Sequence, residues 1–426
     1  MTLGSLGLAV PVGGSTRPRG RCRVTCNLWR GCRSPDMLPS GEGRRGVLVV
    51  AEAPGADEDE QGVQLIGRAG QLLRVELERL GVDLDRDCWK TNAITCRPPD
   101  NRTPTAAEIE ACRGRLDALI EAKRPVVVLA LGKTALEALL SHHGAPIDEL
   151  ATWRGLRGAV VPGRDSWLVV AYHPSYLLRM GAGRGGNDDA RTTLTAWRND
   201  LERAFRLASA GTRPRLWTDA AQCVRITMDE SAALAEIERA RTVRPPHWVT
   251  VDYETTGLKP HGAEHRLVCC GLARDIDTAV AFPVLERVRT MRALAELMAD
   301  PLVPKAAANC RFEEAWTRAK LRTEPSGWYA DPVQDAHVLD NRPSITSVKF
   351  QSGVRFGAWG YEAGVKSWLV PSAKQKAARG GNAHNGLDAR VRGDSAAMAL
   401  LLTYCAMDAL YEHREVHEQQ LELNEP

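Results

Sequence analysis

The chain has 426 residues, of which 44% are apolar and 26% charged, and its formal net charge is +3. This size and composition predict a globular protein of two or more domains, and so small a net charge does not by itself indicate a partner. No run of eighteen apolar residues occurs, so we expect no membrane span and a cytoplasmic location. Eleven cysteines without a secretion signal favour reduced thiols or metal ligands over a disulfide framework.

The first fifty residues are the most basic part of the chain, with eight arginines and only two acidic residues. Arginine-rich segments suit contact with phosphate, although the same composition is typical of a solvated tail. We expect residues 1–21 to form a flexible, Arg-rich N-terminus and a first domain to occupy residues 22–208.

Apolar strands and helical patterns alternate through this first domain. The predicted strands are four β-branched runs at residues 46–52, 88–95, 124–132 and 167–173. The alternation predicts an α/β fold with a parallel sheet and helices on both faces. Ligands of such sheets bind beyond the carboxyl ends of the strands, where polar loops follow each of these runs.

His173 ends the fourth predicted strand, and Pro174 follows it. Proline fixes its own φ and moves the preceding residue out of the helical region, so the histidine has few orientations. It could donate a hydrogen bond to a ligand above the sheet, or accept one from it. Taken alone, a single histidine in this position is more typical of a strand-terminal residue with a satisfied ring. The polar loops that converge on the same crevice favour the functional interpretation.

A second pattern begins after a linker predicted at residues 209–221. Three consecutive strands are predicted beyond it, at residues 247–258, 266–274 and 278–284. Together with the helical patterns around them, they predict a mixed α/β domain over residues 222–426. Residues 372–394 are Gly-rich and basic, and we expect a mobile loop there.

Two carboxylates stand close together on the first of these three strands. Asp252 and Glu254 are two residues apart, so their side chains point to the same face of the strand. Two carboxylates on one face are costly unless a cation lies between them. The pair therefore indicates a metal site, although a single D-x-E pattern is weak evidence.

Two further segments strengthen this interpretation. Asn309 and Glu313 are four residues apart in AAANCRFEEAW, and Tyr404 and Asp408 have the same spacing in YCAMDALYEHR. Residues four apart lie on one face of a helix. Tyr404 could equally be a core tyrosine, and Asp408 an acidic residue on a helix surface.

Five motifs stand in order in the first half: VVAEAPGADEDEQG, LIGRAGQLL, TNAITCRPPDNRTPTAAEIEAC, VVVLALGKTALEALL and HPSYLLR. Together they resemble the family 4 uracil-DNA glycosylases, the iron–sulfur branch of that superfamily. The resemblance runs from about Cys22 to Arg179. It implies a domain that takes uracil out of the DNA stack and excises it in a pocket.

The same resemblance implies roles for five residues. A hydrogen bond from His173 stabilises the departing uracil anion, and Asn92 reads the base. Glu58 or Glu52 positions and activates the attacking water, although Glu58 also lies in a charge run that could be a solvated loop. Leu65 stands where the family usually has an aromatic residue that stacks on the flipped base. This difference predicts weaker binding of uracil, altered specificity or a domain that only binds DNA.

The cysteines fit a metal cluster by the same resemblance. Cys96 and Cys112 match the second ligand pair of the family, and Cys22 and Cys26 are the expected first pair, with Cys32 as a spare candidate. Four thiolates suit a [4Fe–4S] cluster, and zinc is the chemical alternative. The remaining alternative is a set of ordinary buried thiols.

The acidic segments and SVKFQSGVRFGAWGYEAGVKSWL resemble the 3′–5′ exonuclease domain of family A DNA polymerases, in particular the bacteriophage versions. The resemblance covers residues 222–426 and implies a ribonuclease-H-like fold. It also implies that two Mg²⁺ or Mn²⁺ ions are held by Asp252, Glu254 and Asp408. Tyr404 would orient the attacking water, and Asn309 would contact DNA. Glu313 stands where the family more often has aspartate and could still reach a metal.

The sequence thus predicts a bifunctional DNA-processing enzyme, a 3′–5′ exonuclease fused to a uracil-DNA glycosylase-like domain. The expected substrates are single-stranded or frayed 3′ ends and uracil-containing DNA, and a separate DNA polymerase is a candidate partner. A phage-encoded chain would act in the host cytoplasm. Two alternatives stay open: an exonuclease with a catalytically dead glycosylase-like domain, and a non-catalytic DNA-binding accessory of a polymerase.

Overall fold

The computed structural model describes residues 26–181 and 188–424. The expected Arg-rich N-terminus and Cys22 lie outside these residues. No helix within the described ranges is long and apolar enough to cross a membrane. The chain forms two compact units: residues up to Pro125 with 129–139 and 171–209, and residues 126–128 with 140–170 and those from Ala210 onward.

The first sheet contains the four strands that the sequence predicts. They are β1 (Val47–Ala51), β2 (Cys88–Asn92), β3 (Val127–Leu131) and β4 (Trp167–Ala171). Their order is β2-β1-β3-β4, and β1 and β2 run parallel, with Ala51 opposite Asn92 at their carboxyl ends. β1 and β3 are buried along their whole length, as their continuous apolar runs predict for a sheet covered on both faces. The predicted parallel α/β fold is confirmed.

Helices occupy the segments between and after these strands. Up to Ala210 they are Ala56–Gln61, Arg68–Glu78, Leu84–Asp87, Ala106–Lys123, Lys133–Leu140, Leu150–Trp153, Pro174–Arg179 and Asp188–Ala210. Short 3-10 turns lie at Leu28–Gly31, Pro99–Asn101 and Ser141–His143. The helix Ala106–Lys123 begins with a capping box, in which Thr105 and Glu108 satisfy each other's backbone N–H groups.

The second sheet is mixed and has six strands in the order β10-β9-β6-β7-β8-β5. They are β5 (Val224–Ile226), β6 (Val249–Thr255), β7 (Leu267–Asp275), β8 (Thr278–Pro283), β9 (Lys305–Ala306) and β10 (Trp328–Ala330). β6, β7 and β8 are antiparallel neighbours, whereas β9 runs parallel to β6 and β5 parallel to β8. The mixed sheet that the sequence predicts is therefore confirmed.

The helices around this sheet are Ala220–Cys223, Glu230–Arg241, Val288–Ala299, Arg311–Trp316, Pro332–Leu339, Val348–Phe356, Lys366–Leu369, Ala373–Arg379, Leu387–Val391 and Ser395–Leu423. A π-helical turn, Thr317–Leu321, and a 3-10 turn, Gly380–Asn382, complete the set. One face of the sheet packs on Glu230–Arg241 and Val288–Ala299. The other face packs on the long helix Ser395–Leu423.

The close approach of the long helix to β7 depends on Gly271. A Cβ atom at this position would lie 2.6 Å from the backbone oxygen of Cys405, so only glycine fits. Gly271 is also paired with Asp252 across the β6–β7 ladder. This contact therefore brings the helix segment that carries Tyr404 and Asp408 over the strand that carries Asp252.

The segment predicted as a loop, residues 372–394, contains helical turns. Ser372 caps the helix Ala373–Arg379 by accepting a hydrogen bond from the backbone N–H of Gln375, and a second helix, Leu387–Val391, follows. Three of the four glycines fall between these helices, at positions 380, 381 and 386, and Gly393 follows the second helix, which explains why composition alone predicts irregular structure.

Candidate active sites

A cavity of about 370 Å³ lies beyond the carboxyl ends of β1, β2 and β4. This is the position at which parallel sheets bind ligands. All five residues that the glycosylase resemblance singled out line it: Glu52, Glu58, Leu65, Asn92 and His173. Residues far apart in the sequence are thus gathered around one small space.

His173 is the N-cap of the short helix Pro174–Arg179. Its Nδ1 accepts a hydrogen bond from the backbone N–H of Ser175 at 3.2 Å, and the Ser175 hydroxyl lies 2.8 Å away. Burial, with a smaller effect from Arg179, lowers the pKa of His173 to about 4. The ring is therefore neutral at pH 7, and because Nδ1 accepts, the proton is on Nε2.

Gly132, at the end of β3, makes room for this histidine. Its φ is +89°, and a Cβ atom there would lie 3.0 Å from Cβ of His173. A larger residue would be strained in this backbone conformation and would press on the histidine. The position of the ring is thus fixed from two sides.

Asn92 and Leu65 form the inner wall of the cavity. The side-chain Nδ2 of Asn92 is buried without a hydrogen-bond partner among the described residues. A buried donor without a partner is costly and indicates a ligand that satisfies it. Leu65 is buried and has a φ of +54°, an uncommon conformation for a residue with a side chain.

The two glutamates have different surroundings. Both carboxylate oxygens of Glu58 accept hydrogen bonds from backbone N–H groups, at 3.1 Å from Gly55, 3.1 Å from Ile66 and 2.8 Å from Gly67. Glu58 therefore fastens two loops together. Glu52 accepts one hydrogen bond at Oε2, from the Thr134 hydroxyl at 2.9 Å. These hydrogen bonds give Glu58 a structural role, which the run of acidic residues in the sequence does not indicate.

Three cysteines gather around residues 95–97. The Sγ of Cys32 is 3.5 Å from the carbonyl oxygen of Arg97, Cys96 accepts a hydrogen bond from the backbone of Asp36 at 3.3 Å, and Cys112 is 3.9 Å from the hydroxyl of Thr95. Cys26 is half-buried in the preceding segment. Cys22 lies outside the described residues. The spare candidate, Cys32, thus lies beside the predicted second pair.

A second site lies on β6, beneath the long helix. One carboxylate oxygen each from Asp252, Glu254 and Asp408 lie within 4.8 Å of one another. Burial and the charge of Asp408 raise the pKa of Asp252 to about 7, and burial and Asp252 raise the pKa of Glu254. Oδ2 of Asp252 has no hydrogen-bond partner among the described residues. Crowded carboxylates with a free oxygen form a donor set that fits a divalent cation.

Two residues that sequence reasoning missed hold Asp408. The Tyr361 hydroxyl donates a hydrogen bond to Oδ1 of Asp408 at 2.6 Å, and the Lys349 ammonium contacts the same oxygen. The ammonium also lies 4.6 Å from the ring centres of Tyr361 and Tyr404. Both residues belong to the quoted motif SVKFQSGVRFGAWGYEAGVKSWL, but its letters alone give no contact with Asp408.

Glu313, the residue in place of aspartate, is buried at the edge of this cluster. Burial and the charge of Asp252 raise its pKa, and its Oε2 has no partner among the described residues. Asn309 is exposed, with a φ of +56°. Glu412, one helical turn after Asp408, is also buried, and the charge of Asp252 adds to burial in raising its pKa. Because Glu412 follows Asp408 by four residues, helical spacing in the sequence could have identified it as a neighbour of this cluster.

Comparison with known proteins identifies both halves. Residues 39–201 match the model of the uracil DNA glycosylase superfamily. The type-4 uracil-DNA glycosylase of Pyrobaculum aerophilum is 42% identical over 147 residues, which are 34% of this chain and 74% of that protein. The chain belongs to the uracil-DNA glycosylase superfamily. A type-4 uracil-DNA glycosylase of Thermotoga maritima is 40% identical over 31% of this chain and 66% of its own length.

The other half matches a second family model, 3′-5′ exonuclease, over residues 224–423. A DNA polymerase of Bacillus phage SP01 is 23% identical over 307 residues, which are 67% of this chain and 32% of the polymerase. The chain thus spans about a third of that polymerase. Both resemblances are confirmed: this superfamily member joins a uracil-DNA glycosylase-like domain to a 3′–5′ exonuclease domain. The two domain types imply DNA binding, an iron–sulfur centre and divalent metal ions.

Proposed function

We propose that the second domain degrades DNA from its 3′ end by two-metal hydrolysis. The observation that carries this proposal is the cluster of Asp252, Glu254 and Asp408. Two Mg²⁺ or Mn²⁺ ions bound by these carboxylates would supply a hydroxide nucleophile and stabilise the leaving oxygen. Glu313 contributes a further carboxylate to the same centre. Tyr404 lies on the same helix face as Asp408 and orients the attacking water.

The neighbouring cavity supports a single-stranded substrate. It measures about 620 Å³, and Glu254 and Thr255 line it together with Leu258, Phe312 and other apolar residues. Apolar and aromatic walls suit the face of a base, and stacking of this kind tolerates any sequence. A base can enter only when the 3′ end is unpaired, so single strands and frayed ends are the preferred substrates.

Magnesium should stabilise this site more at high pH than at low pH. The raised pKa of Asp252 means that the folded protein holds a proton between about pH 4 and 7 that the unfolded chain releases. Without metal, the stability that this proton contributes is therefore lost as the pH rises from about 4 to about 7, and it is absent above pH 7. Mg²⁺ binds the ionised form of the site. Adding Mg²⁺ should therefore raise the Tm by ~5 °C more at pH 8 than at pH 5.

Thermal melts of the full chain with Mg²⁺ or EDTA measure this difference. Asp252→Asn removes the ionisable group with little change in shape, and its Mg²⁺ increment should be small at both pH values. An equal increment at pH 5 and pH 8 in the unsubstituted protein would contradict the metal assignment.

We further propose that the first domain excises uracil from DNA. The supporting observation is the pair of donors in the 370 Å³ cavity, the unpartnered Nδ2 of Asn92 and the Nε2–H of neutral His173. Asn92 would hydrogen-bond a carbonyl on the edge of the flipped base. His173 would stabilise the negative charge that develops on uracil as the glycosidic bond breaks. Glu52 would position the attacking water. Within the described residues one of its carboxylate oxygens accepts a hydrogen bond, whereas both carboxylate oxygens of Glu58 do.

The wall of this cavity is consistent with a DNA ligand. Arg68, Arg102 and Arg179 line it alongside the base-recognition residues. Guanidinium groups bind phosphate, and this contact places the nucleotide without reading its sequence. Arg102 is already held by Glu108 through two hydrogen bonds of 2.6 and 2.9 Å, so it is oriented before DNA binds.

We propose that the thiols of this domain hold a [4Fe–4S] cluster. Cys96, Cys112 and Cys32 surround residues 95–97, and Cys26 or Cys22 completes a set of four. Burial raises the pKa of Cys32, so a bound metal is needed to keep it as a thiolate at neutral pH. Purified protein should then be brown and contain about four irons per chain.

Single Cys→Ala variants locate the ligands. Iron should fall strongly in Cys96→Ala and Cys112→Ala, and remain in Cys88→Ala, whose buried thiol starts β2. Iron should also fall in Cys32→Ala, and Cys22→Ala and Cys26→Ala distinguish the two possible fourth ligands. Colourless protein with one zinc per chain would replace the cluster by a zinc site.

A further inference from the structure

A histidine cluster lies outside both candidate active sites. Glu264 and His265 belong to the connection between β6 and β7, and His384 lies in the segment before the long helix. One ligand atom from each of the three residues lies within 4.8 Å of the others. The imidazole rings of His265 and His384 are stacked, with centroids 4.2 Å apart and planes 3° from parallel.

His265 is the unusual member because it is buried and its ring nitrogens are poorly hydrogen-bonded. The residue is 2% exposed, and among the described residues the polar group that faces its ring nitrogens is the backbone carbonyl of Asn382, with no hydrogen bond of good geometry to either nitrogen. Two glycines make room for the ring: a Cβ atom at Gly257 would lie 2.6 Å from its Cε1, and one at Gly262 would lie 2.5 Å from its Cδ2. A neutral imidazole carries one N–H, so at most one of its nitrogens can use this carbonyl, and a buried nitrogen left without a partner is costly unless a ligand satisfies it.

We propose that Glu264, His265 and His384 bind one Zn²⁺ ion, with water as the fourth ligand. Neutral imidazole nitrogens with a carboxylate oxygen are a donor set typical of zinc, whereas Mg²⁺ prefers oxygen ligands alone. His384 is the less buried of the two rings, so it can tilt out of the stack to converge on the metal. Oε1 of Glu264 accepts a hydrogen bond from Arg379 at 3.0 Å and lies 3.5 Å from Nε2 of His384, so Oε2 is the oxygen left for the ion.

The position of this site gives the zinc a structural task. Asn385, next to His384, donates hydrogen bonds to the carbonyl oxygens of Thr255 at 2.7 Å and Thr256 at 3.0 Å. Gly380, Gly381, Ala383 and Asn385 line the 620 Å³ cavity beside Glu254. Zinc would therefore fasten this cavity wall to the β6–β7 connection. The inference concerns metal binding alone and does not depend on the proposed nuclease activity.

Zinc content tests the proposal directly. The full chain, with Mg²⁺ in excess to occupy the carboxylate site, is loaded with Zn²⁺, freed of excess metal by gel filtration and measured for zinc. We expect His384→Ala and Glu264→Gln to hold one zinc per chain less than the unsubstituted protein. His261→Ala is the matched control, since His261 is exposed in the same connection, and it should keep the full content. Any zinc bound by the cysteines is the same in all of these proteins, so it does not affect the difference in zinc content between them.

Limited trypsin digestion gives a second readout. Lys374, Lys376 and Arg379 are exposed cleavage positions just before His384. At free zinc ten times the dissociation constant, cleavage that requires the segment to open should slow about tenfold in the unsubstituted protein and in His261→Ala. His384→Ala should show no such protection. Equal zinc content and equal protection in His384→Ala and the unsubstituted protein would overturn the proposal.

Discussion

Asp252→Ala should abolish metal-dependent shortening of single-stranded DNA while leaving the protein folded. Asp252 is central to the carboxylate cluster, because its charge also raises the pKa of Glu254, Glu313 and Glu412. Loss of a single donor at an active site typically costs 10²–10³-fold in rate, and loss of a carboxylate that would hold a catalytic metal ion should cost at least ~10³-fold. The measurement is the rate of shortening of a 5′-labelled single strand with Mg²⁺.

The control is Asp277→Ala, which removes an exposed carboxylate from the turn between β7 and β8. This variant should degrade DNA at the unsubstituted rate, and Asp252→Ala should melt at or above the original Tm without metal. Asp252→Ala removes a buried repulsion, so it should not destabilise the metal-free fold. Wild-type degradation by Asp252→Ala would show that the nuclease chemistry belongs to other residues.

His173→Ala should lower the rate of uracil excision by roughly 10²–10³-fold, the usual cost of losing one donor to a developing anion. The exonuclease would obscure this measurement, so the variant is made together with Asp252→Ala. Abasic sites in uracil-containing single strands are then revealed by alkali. Because the pKa of His173 is about 4, the rate in the parent protein should show no histidine titration between pH 6 and 9.

Two further substitutions separate chemistry from structure at this site. His173→Gln keeps an N–H donor and should retain more activity than His173→Ala. Leu65→Phe supplies the aromatic ring that the family usually has and should tighten binding of the base by ~1–3 kcal/mol. A parent protein that leaves uracil untouched, with no rescue by Leu65→Phe, would favour the alternative of a glycosylase-like domain that only binds DNA.

The strands could be predicted from the sequence because they are apolar runs with polar boundaries. The prediction for β2 extended to Thr95, whereas the strand ends at Asn92, since hydrogen bonding to the neighbouring strand, and not composition, decides where it stops. Residues 372–394 were predicted irregular, although a helix capped by Ser372 lies within them. A seven-residue helix is too short to show a clear period beside so many glycines.

The candidate sites were predictable where a motif places a residue at a strand end or on a helix face. Contacts between distant segments were not. Glu58 accepts hydrogen bonds from Ile66 and Gly67, and Lys349 reaches Asp408 from 59 positions away. Neither partner is implied by local spacing. Likewise, Cys32 lies beside Arg97 because of chain folding, which the cysteine spacing does not show.

One substrate tests whether a single chain carries both activities. A 5′-labelled single strand with one internal uracil is incubated with the unsubstituted protein, either with Mg²⁺ or with EDTA. With Mg²⁺, the strand should be shortened progressively from its 3′ end. With EDTA, which removes the ions that the carboxylates need, the strand should keep its length and break only at the uracil position after alkali. A strand that stays intact under both conditions would contradict the account.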